Sequence, residues 1–275
     1  MIKNYFKTAW RALSRYRAYG IINVLGLTLG IVSCLVIFLV VKYELGYDKF
    51  HKKAGRIYRV TLNAIDFNPC VSMAVVPALR NDFPELEAVS QVWFRESGLI
   101  TIGQRTRFEE KNFAYADPYF THIFDYTWLE GNSKTALTEP NTVVLTESIA
   151  RKYFGNKEAI GQVINLEKKF DLIVTGVIKD VPGNTHLPFN FLVSFETVRK
   201  EQEKRGALSQ FYWITNGSFA YIVTPGNYPV DHLQKRIKPF IAKNWGNDIA
   251  KEANLLLQPL TDIHFDQRYL NNTIS

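Results

Sequence analysis

Between residues 18 and 41 the chain carries no charged side chain, while the segment before it holds Lys3, Lys7, Arg11, Arg15 and Arg17 without a single acid. About 24 residues rising 1.5 Å each give roughly 36 Å of helix, enough to cross a hydrocarbon core of about 30 Å with some tilt. Only Asn23, Thr28 and Ser33 interrupt the apolar character, and each is short enough to bond to a helix backbone. The chain therefore divides into a leader (1–17), a membrane-spanning helix (18–42) and a long exported part (43–275). The five cations place the leader in the cytoplasm and everything after Lys42 on the far side of the membrane. A cleavable export signal would have a shorter apolar core, about 7–15 residues, followed by small residues. Here the run leads into Val40, Val41, Lys42, Tyr43 and Glu44, which gives a peptidase nothing small to cut beside.

The leader is patterned. At about 100° per residue, Ile2, Phe6, Trp10 and Leu13 share one arc of a helix, and Lys3, Lys7, Arg11 and Arg15 form a separate basic arc. Such a helix lies in the headgroup layer with its aromatics at the lipid boundary and its cations on anionic lipid. A solvated leader that merely orients the span would not need Trp10 or Phe6. Within the span, Gly26 and Gly30 have the spacing that lets a second helix approach closely, although glycine is common enough in spans for chance to explain it equally well.

The formal charge of +7 does not point to nucleic acid. Once the five leader cations are set aside, 28 basic residues face 26 acidic ones, and no basic face remains for a phosphate backbone. The 47% hydrophobic content, with 19 Phe and 14 Tyr, requires a packed exported body. Its Trp93, Trp128, Tyr153, Trp213 and Trp245 read as core. Cys34 and Cys70 lie on opposite sides of the membrane boundary and cannot form an intrachain disulfide. Catalytic chemistry is missing from the pattern. There is no phosphate-binding glycine loop with its lysine and no nucleophile elbow, and His51, His122, His186, His232 and His264 lack metal-ligand spacing. Asp262 and His264 read as a packed or capping pair, and neighbouring acids such as Glu109 and Glu110 as solvated. The expectation is a protein that is not an enzyme and holds no cofactor or metal.

Period-2 alternation predicts strands over 57–65, 88–95, 99–102, 107–116, 142–145, 161–166, 170–178, 189–194, 219–224 and 254–260. A turn is expected at Gly103-Gln104. Helices are expected over 72–82, from an N-cap at Thr146 to a stop at Gly155, over 196–205, and through Leu233, Ile237, Phe240 and Ile241. Strands interleaved with short helices make the body α+β, with two subdomains expected and divisions near Asp117 and Asp180.

Several segments carry a likeness to a family. Glu44-Leu-Gly-Tyr47-Asp48-Lys-Phe50-His51 followed by Arg56-Ile-Tyr-Arg59-Val resembles the stretch after the first span of ABC-transporter permeases of the MacB/FtsX type, in their Bacteroidetes-like branch. Further on, Pro140-Asn-Thr-Val-Val-Leu-Thr-Glu147, Tyr153-Phe154-Gly155, Ile160-Gly161, Val174-Thr-Gly176-Val-Ile-Lys-Asp-Val-Pro182 and Leu260-Thr-Asp262-Ile-His264-Phe265 are similar to that family's periplasmic core domain. The resemblance implies a bacterial inner-membrane permease with residues 43–275 in the periplasm. It also implies a separate cytoplasmic ABC ATPase as partner, a homodimer or paired permease half, and a role in export or mechanotransmission rather than catalysis. Family members have three more spans after this domain, so the chain resembles the N-terminal part of such a permease. The run from Val41 to Phe50, with only Gly46 to loosen it, is suited to carrying the motion of the anchor into the first strand. A single-pass binding or scaffold module without transport is the alternative.

Overall fold

A computed structural model of the chain describes residues 2–15, 17–103 and 106–272, in two compact units, residues 1–46 and 47–275. The first unit comprises helices α1 (Ile2–Arg15) and α2 (Arg17–Glu44). Helix α2 has 28 residues, none of them buried in protein, and is long and apolar enough to cross a membrane. The Ser33 hydroxyl donates back to the Leu29 carbonyl (2.8 Å), so this polar group is satisfied within its own helix, as lipid requires. At Gly26 and Gly30 an added Cβ would meet nothing within 4 Å. On α1, Lys7, Trp10, Arg11 and Arg15 are exposed, with Trp10 at 76%. The side chains of Ile2, Lys3, Phe6 and Leu13, which complete the two expected arcs, lie outside the described residues.

The second unit is built on a mixed sheet. In chain order its elements are β1 (Ile57–Asn63), β2 (Phe67–Asn68), α3 (Val75–Asp82), β3 (Ala88–Ile102), β4 (Thr106–Ala116), α4 (Phe120–Ile123), β5 (Trp128–Gly131), β6 (Thr142–Thr146), α5 (Glu147–Phe154), β7 (Val163–Leu166), β8 (Phe170–Ile178), β9 (Phe191–Ser194), α6 (Glu196–Lys204), β10 (Ser218–Val223), α7 (Val230–Trp245), α8 (Asn247–Glu252) and β11 (Asn254–Pro259). The strands run in the order β11-β1-β10-β3-β4-β9-β6-β8-β5, with β2 on β1 and β7 joining β3 to β8. The pairs β4/β9 and β6/β8 are parallel.

Helix α7 buries the four residues its 3.6-residue period selects, Leu233, Ile237, Phe240 and Ile241, against Leu79, Val89 and Ile222. Its Gln234 reaches the outermost strand, donating from Nε2 to the Leu255 carbonyl (2.8 Å) and accepting the Leu257 N–H at Oε1 (3.1 Å). A second cluster gathers Phe113, Leu145, Phe191 and Val193, and a third Phe94, Phe124, Leu192 and Tyr221.

Where two strands were expected over 88–95 and 99–102, β3 runs unbroken for 15 residues. A Cβ at Gly98 would lie 2.7 Å from the Phe113 ring of β4, so glycine there admits that ring instead of ending the strand. Residues 88–94 are all buried, so the strand is covered on both faces there and alternation is lost. At the expected turn Gly103 has φ +59°, and Gln104 and Arg105 lie outside the described residues.

The expected division into two subdomains is corrected. Strands from either side of Asp117 alternate along a single path, and residues 47–275 form one unit. Asp117 is no linker. It is 1% exposed, accepts the Ser90 hydroxyl (2.8 Å) and the N–H groups of Gln91 (2.9 Å) and Tyr119 (3.0 Å), and pairs with Arg80. Asp180 is exposed and holds the start of α5, accepting the Ser148 N–H (2.9 Å) and the Ser148 hydroxyl. Thr146, the expected cap, makes no side-chain capping bond.

Gly131 of β5 has φ +84° and faces Gly176 of β8. A Cβ there would sit 2.3 Å from the Thr175 carbonyl oxygen and 2.8 Å from Gly176 Cα, both backbone atoms that cannot swing aside. We expect Gly131→Ala to destabilise residues 47–275 by about 3 kcal/mol in urea unfolding. Gly103→Ala, where nothing lies within 4 Å, should cost only about 1 kcal/mol of left-handed strain.

Candidate functional site

The backbone enters the second unit through Tyr47-Asp48, and there the described structure concentrates its buried polar chemistry. Asp48 adopts φ +55°, a left-handed conformation that aspartate tolerates better than most residues. Its side chain is fully buried. The donors that make this burial tolerable come from one distant loop. Asp48 N–H donates to the Asn184 carbonyl (3.0 Å), and Oδ1 accepts the Thr185 hydroxyl (2.6 Å). Both carboxylate oxygens lie 3.3 Å from the His186 N–H, and Oδ2 is 2.7 Å from His186 Nδ1. Burial works to raise the Asp48 carboxyl, but the charge of His186 and the hydrogen bonds from His186 and Thr185 outweigh it and hold the group below its ordinary value.

From His186 the polar contacts continue into the sheet. His186 Nε2 is 2.9 Å from the hydroxyl of Tyr221 on β10. Tyr221 lies opposite Arg59 of β1, and Arg59 lies opposite Gln258 of β11, so three adjacent strands place these residues in one cross-strand row. Arg59, 3% exposed, donates through Nε (3.0 Å) and Nη2 (2.7 Å) to Gln258 Oε1, with its guanidinium between the rings of Phe219 and Tyr269. Gln258 Nε2 donates to Asp266 (2.8 Å), which pairs with Arg268 (2.7 Å). The Tyr269 hydroxyl is 2.8 Å from that of Thr61. A polar chain thus runs from the entry segment across the sheet to the last described turn.

The entry segment is tied elsewhere too. His51 Nδ1 accepts the Asp125 N–H (3.0 Å) while the Lys52 N–H donates to Asp125 Oδ2 (2.8 Å). Lys53 and Arg56 both pair with Glu87 (2.6 Å each). The Tyr47 and His264 rings stack face to face at 3.5 Å and 5°, so the entry segment touches the segment after β11. Phe50 packs at 4.0 Å against the His51 ring. His51 is 2% exposed, and its Nε2, without a hydrogen-bond partner among the described residues, is enclosed by Phe124 and Tyr126 set edge-on. Burial there pulls the imidazole from 6.5 down to about 4.

Asp48, His186 and Tyr221 have the connectivity of an acid–base–hydroxyl relay. The hydroxyl is fully buried and burial pushes it upward, so the relay has no access for a substrate and no activated nucleophile. The buried Cys70 thiol is likewise pushed up, opposite to a reactive cysteine. Among the described residues no group of three or more His, Cys, Asp or Glu is placed to hold a metal ion.

The other residues singled out in the sequence fall elsewhere. Phe154 packs beside the second core cluster at the end of α5, and Gly155 follows with its N–H on the Arg151 carbonyl (2.8 Å). Gly161 donates to the Val174 carbonyl (2.8 Å), Gly176 lies under the Trp128 ring, and Pro182 is exposed between β8 and β9. Asp262 is exposed in a short 3₁₀ turn, and the ring partners of His264 are Tyr47 and Phe265. Thr185, His186, Tyr221 and Gln258 carried no signal in the sequence, because their partners lie tens to more than a hundred residues away. The alternation that set Tyr58 and Val60 against Arg59 could have drawn attention to a charge inside a strand.

The model of the MacB-like periplasmic core domain family matches residues 21–239. No curated protein matches the chain. Among solved structures, a domain of a protein described as a permease from Porphyromonas gingivalis is similar over 76% of this chain and 92% of its own, with a TM-score of 0.64 at 21% identity. The periplasmic region of MacB from Actinobacillus actinomycetemcomitans is similar over 81% of this chain and 95% of its own, with a TM-score of 0.53 at 12% identity. At these identities the likeness establishes the shared fold.

The His51 geometry sets a pH window. Unfolded, the imidazole binds a proton near 6.5; folded, it resists protonation down to about 4. Its contribution is therefore complete above pH 6.5 and is lost as pH falls toward 4, about 3 kcal/mol in all. Urea unfolding between pH 7 and 4 should show this loss, and His51→Gln, which keeps an acceptor for Asp125 but does not titrate, should flatten it. The contribution of Asp48 is lost only below its ordinary value of 3.8.

Proposed function

The chain belongs to the MacB-like periplasmic core domain family, and from that premise we propose that it is the non-catalytic, membrane-anchored permease part of an ABC transporter. A separate cytoplasmic ATPase supplies the energy, and residues 47–275 convert movement of the anchor into movement of the extracytoplasmic body, for export or as a mechanical signal. The five leader cations favour a cytoplasmic amino terminus, and Trp10 with Lys7, Arg11 and Arg15 favours a leader helix seated on lipid.

The observation that carries this reading is the row of polar contacts from Asp48 to Asp266, in which Tyr221 and Arg59 are cross-strand neighbours, together with the Tyr47–His264 stack. Force transmission needs elements that keep their positions relative to one another while the whole moves. The entry segment meets this need because carboxylate, imidazole and guanidinium groups hold it, and breaking any of these contacts leaves a buried polar group unpaired. No side chain of the chain needs to perform a chemical step for this role.

The test is co-purification with the ABC ATPase, followed by hydrogen exchange with and without vanadate trapping of the ATPase. In the wild type, trapping should change exchange in β11 and the 260–269 segment. Tyr47→Ala and His264→Ala should keep the ATPase bound and abolish most of that response. An ATPase that fails to co-purify, or a response untouched by both substitutions, would refute the reading. Orientation is checked by maleimide labelling of Ile65→Cys, 97% exposed, in intact spheroplasts, where rapid labelling from outside is expected.

A further inference from the structure

A cavity of about 170 Å³ opens where β3, β4, the turn between β7 and β8, and α6 converge, well apart in the fold from the entry segment. Its apolar walls include Trp93, Phe113 and Tyr115, with Trp93 and Tyr115 stacked at 5.3 Å and 27°. Two polar groups also line it. Gln202 is 4% exposed and Tyr115 is 6% exposed, and neither the Gln202 amide nor the Tyr115 hydroxyl has a hydrogen-bond partner among the described residues. Both groups face the open cleft, where water or a ligand can receive them.

The charges at the rim are unequally committed. Glu201 is held between Lys169 (2.5 Å) and Arg205 (2.6 Å), and Glu167 accepts the Leu99 N–H (2.8 Å). Arg95 has no ion-pair partner among the described residues and lies over the Trp93 ring, 5.1 Å from its centroid. Burial pushes the Tyr115 phenol up to about 12, so it stays protonated and able to donate. The cleft therefore offers aromatic walls, a neutral amide, a hydroxyl donor and one uncommitted guanidinium. Its volume is close to the roughly 150 Å³ of an apolar cavity that holds a benzene ring.

We propose that this cleft binds a small planar aromatic carboxylate, its ring against Trp93, Phe113 and Tyr115 and its carboxylate received by Arg95, with the Gln202 amide and Tyr115 hydroxyl completing the polar contacts. Planar fork geometry suits guanidinium to a carboxylate, and the aromatic walls suit a flat ring better than a branched aliphatic chain. The inference stands apart from the mechanical role, since none of these residues belongs to the polar chain from Asp48 to Asp266.

The experiment uses the full chain in lipid nanodiscs, with 4-fluorobenzoate followed by ligand-observed ¹⁹F NMR against empty nanodiscs. Saturable binding above the empty-disc background is expected, with 4-fluorobenzamide at least about tenfold weaker because it lacks the charge. Arg95→Gln, at an exposed position, and Gln202→Leu should each weaken 4-fluorobenzoate by about tenfold with unchanged near-ultraviolet circular dichroism. No saturable binding, equal affinity for the acid and the amide, or an undiminished affinity in Arg95→Gln would each overturn the proposal. Should Gln202→Leu fail to fold, Arg95→Gln and the acid–amide comparison decide it alone.

Discussion

A carboxylate removed from water has to be met by donors wherever it lies, and in this protein that requirement falls on Asp48. Its donors are Thr185 and His186, more than 130 positions along the chain, so the segment that follows α2 is held by the loop after β8. The sheet then inherits the constraint. His186 joins Asp48 to Tyr221, and the register of β10, β1 and β11 sets Tyr221, Arg59 and Gln258 side by side. A slip of one residue in either strand pair would turn Arg59 to the opposite face and leave a guanidinium without its acceptor. Order in the entry segment and register in the sheet are therefore the same condition.

Asp48, His186 and Tyr221 are connected as a proton relay would be, yet the hydroxyl is buried and burial pushes it upward. A row of directional hydrogen bonds resists sliding between strands in a way that apolar packing, which tolerates small shifts, does not. The aromatic groups around it, Phe124, Tyr126 and Phe219, exclude the water that would otherwise compete for those bonds.

Much of the fold was legible in the sequence wherever one element decided its own fate. The buried face of α7, the strands β7 and β8 and the helix stopped by Gly155 follow from local periodicity and turn residues. Composition misled where packing prevailed. Glu96-Ser97-Gly98 looks like a break, but Gly98 gives room to Phe113 and β3 continues. Asp117 looks like a linker and is a buried junction. The family motif pointed to Tyr47, Asp48, Arg59 and His264, and these four lie along the contacts between the entry segment and the segment after β11. Their partners Thr185, His186, Tyr221 and Gln258 were invisible because which strands become neighbours is a property of the whole chain. Gly155, Gly161, Gly176 and Pro182, drawn from the same motifs, lie away from those contacts.

Gln234 brings a further consequence. By giving its amide to the Leu255 carbonyl and taking the Leu257 N–H, this side chain imitates a strand along the outer margin of β11. A foreign β-segment seeking to extend the sheet past β11 must first evict that amide from both bonds. Templated accretion on this border is thereby disfavoured.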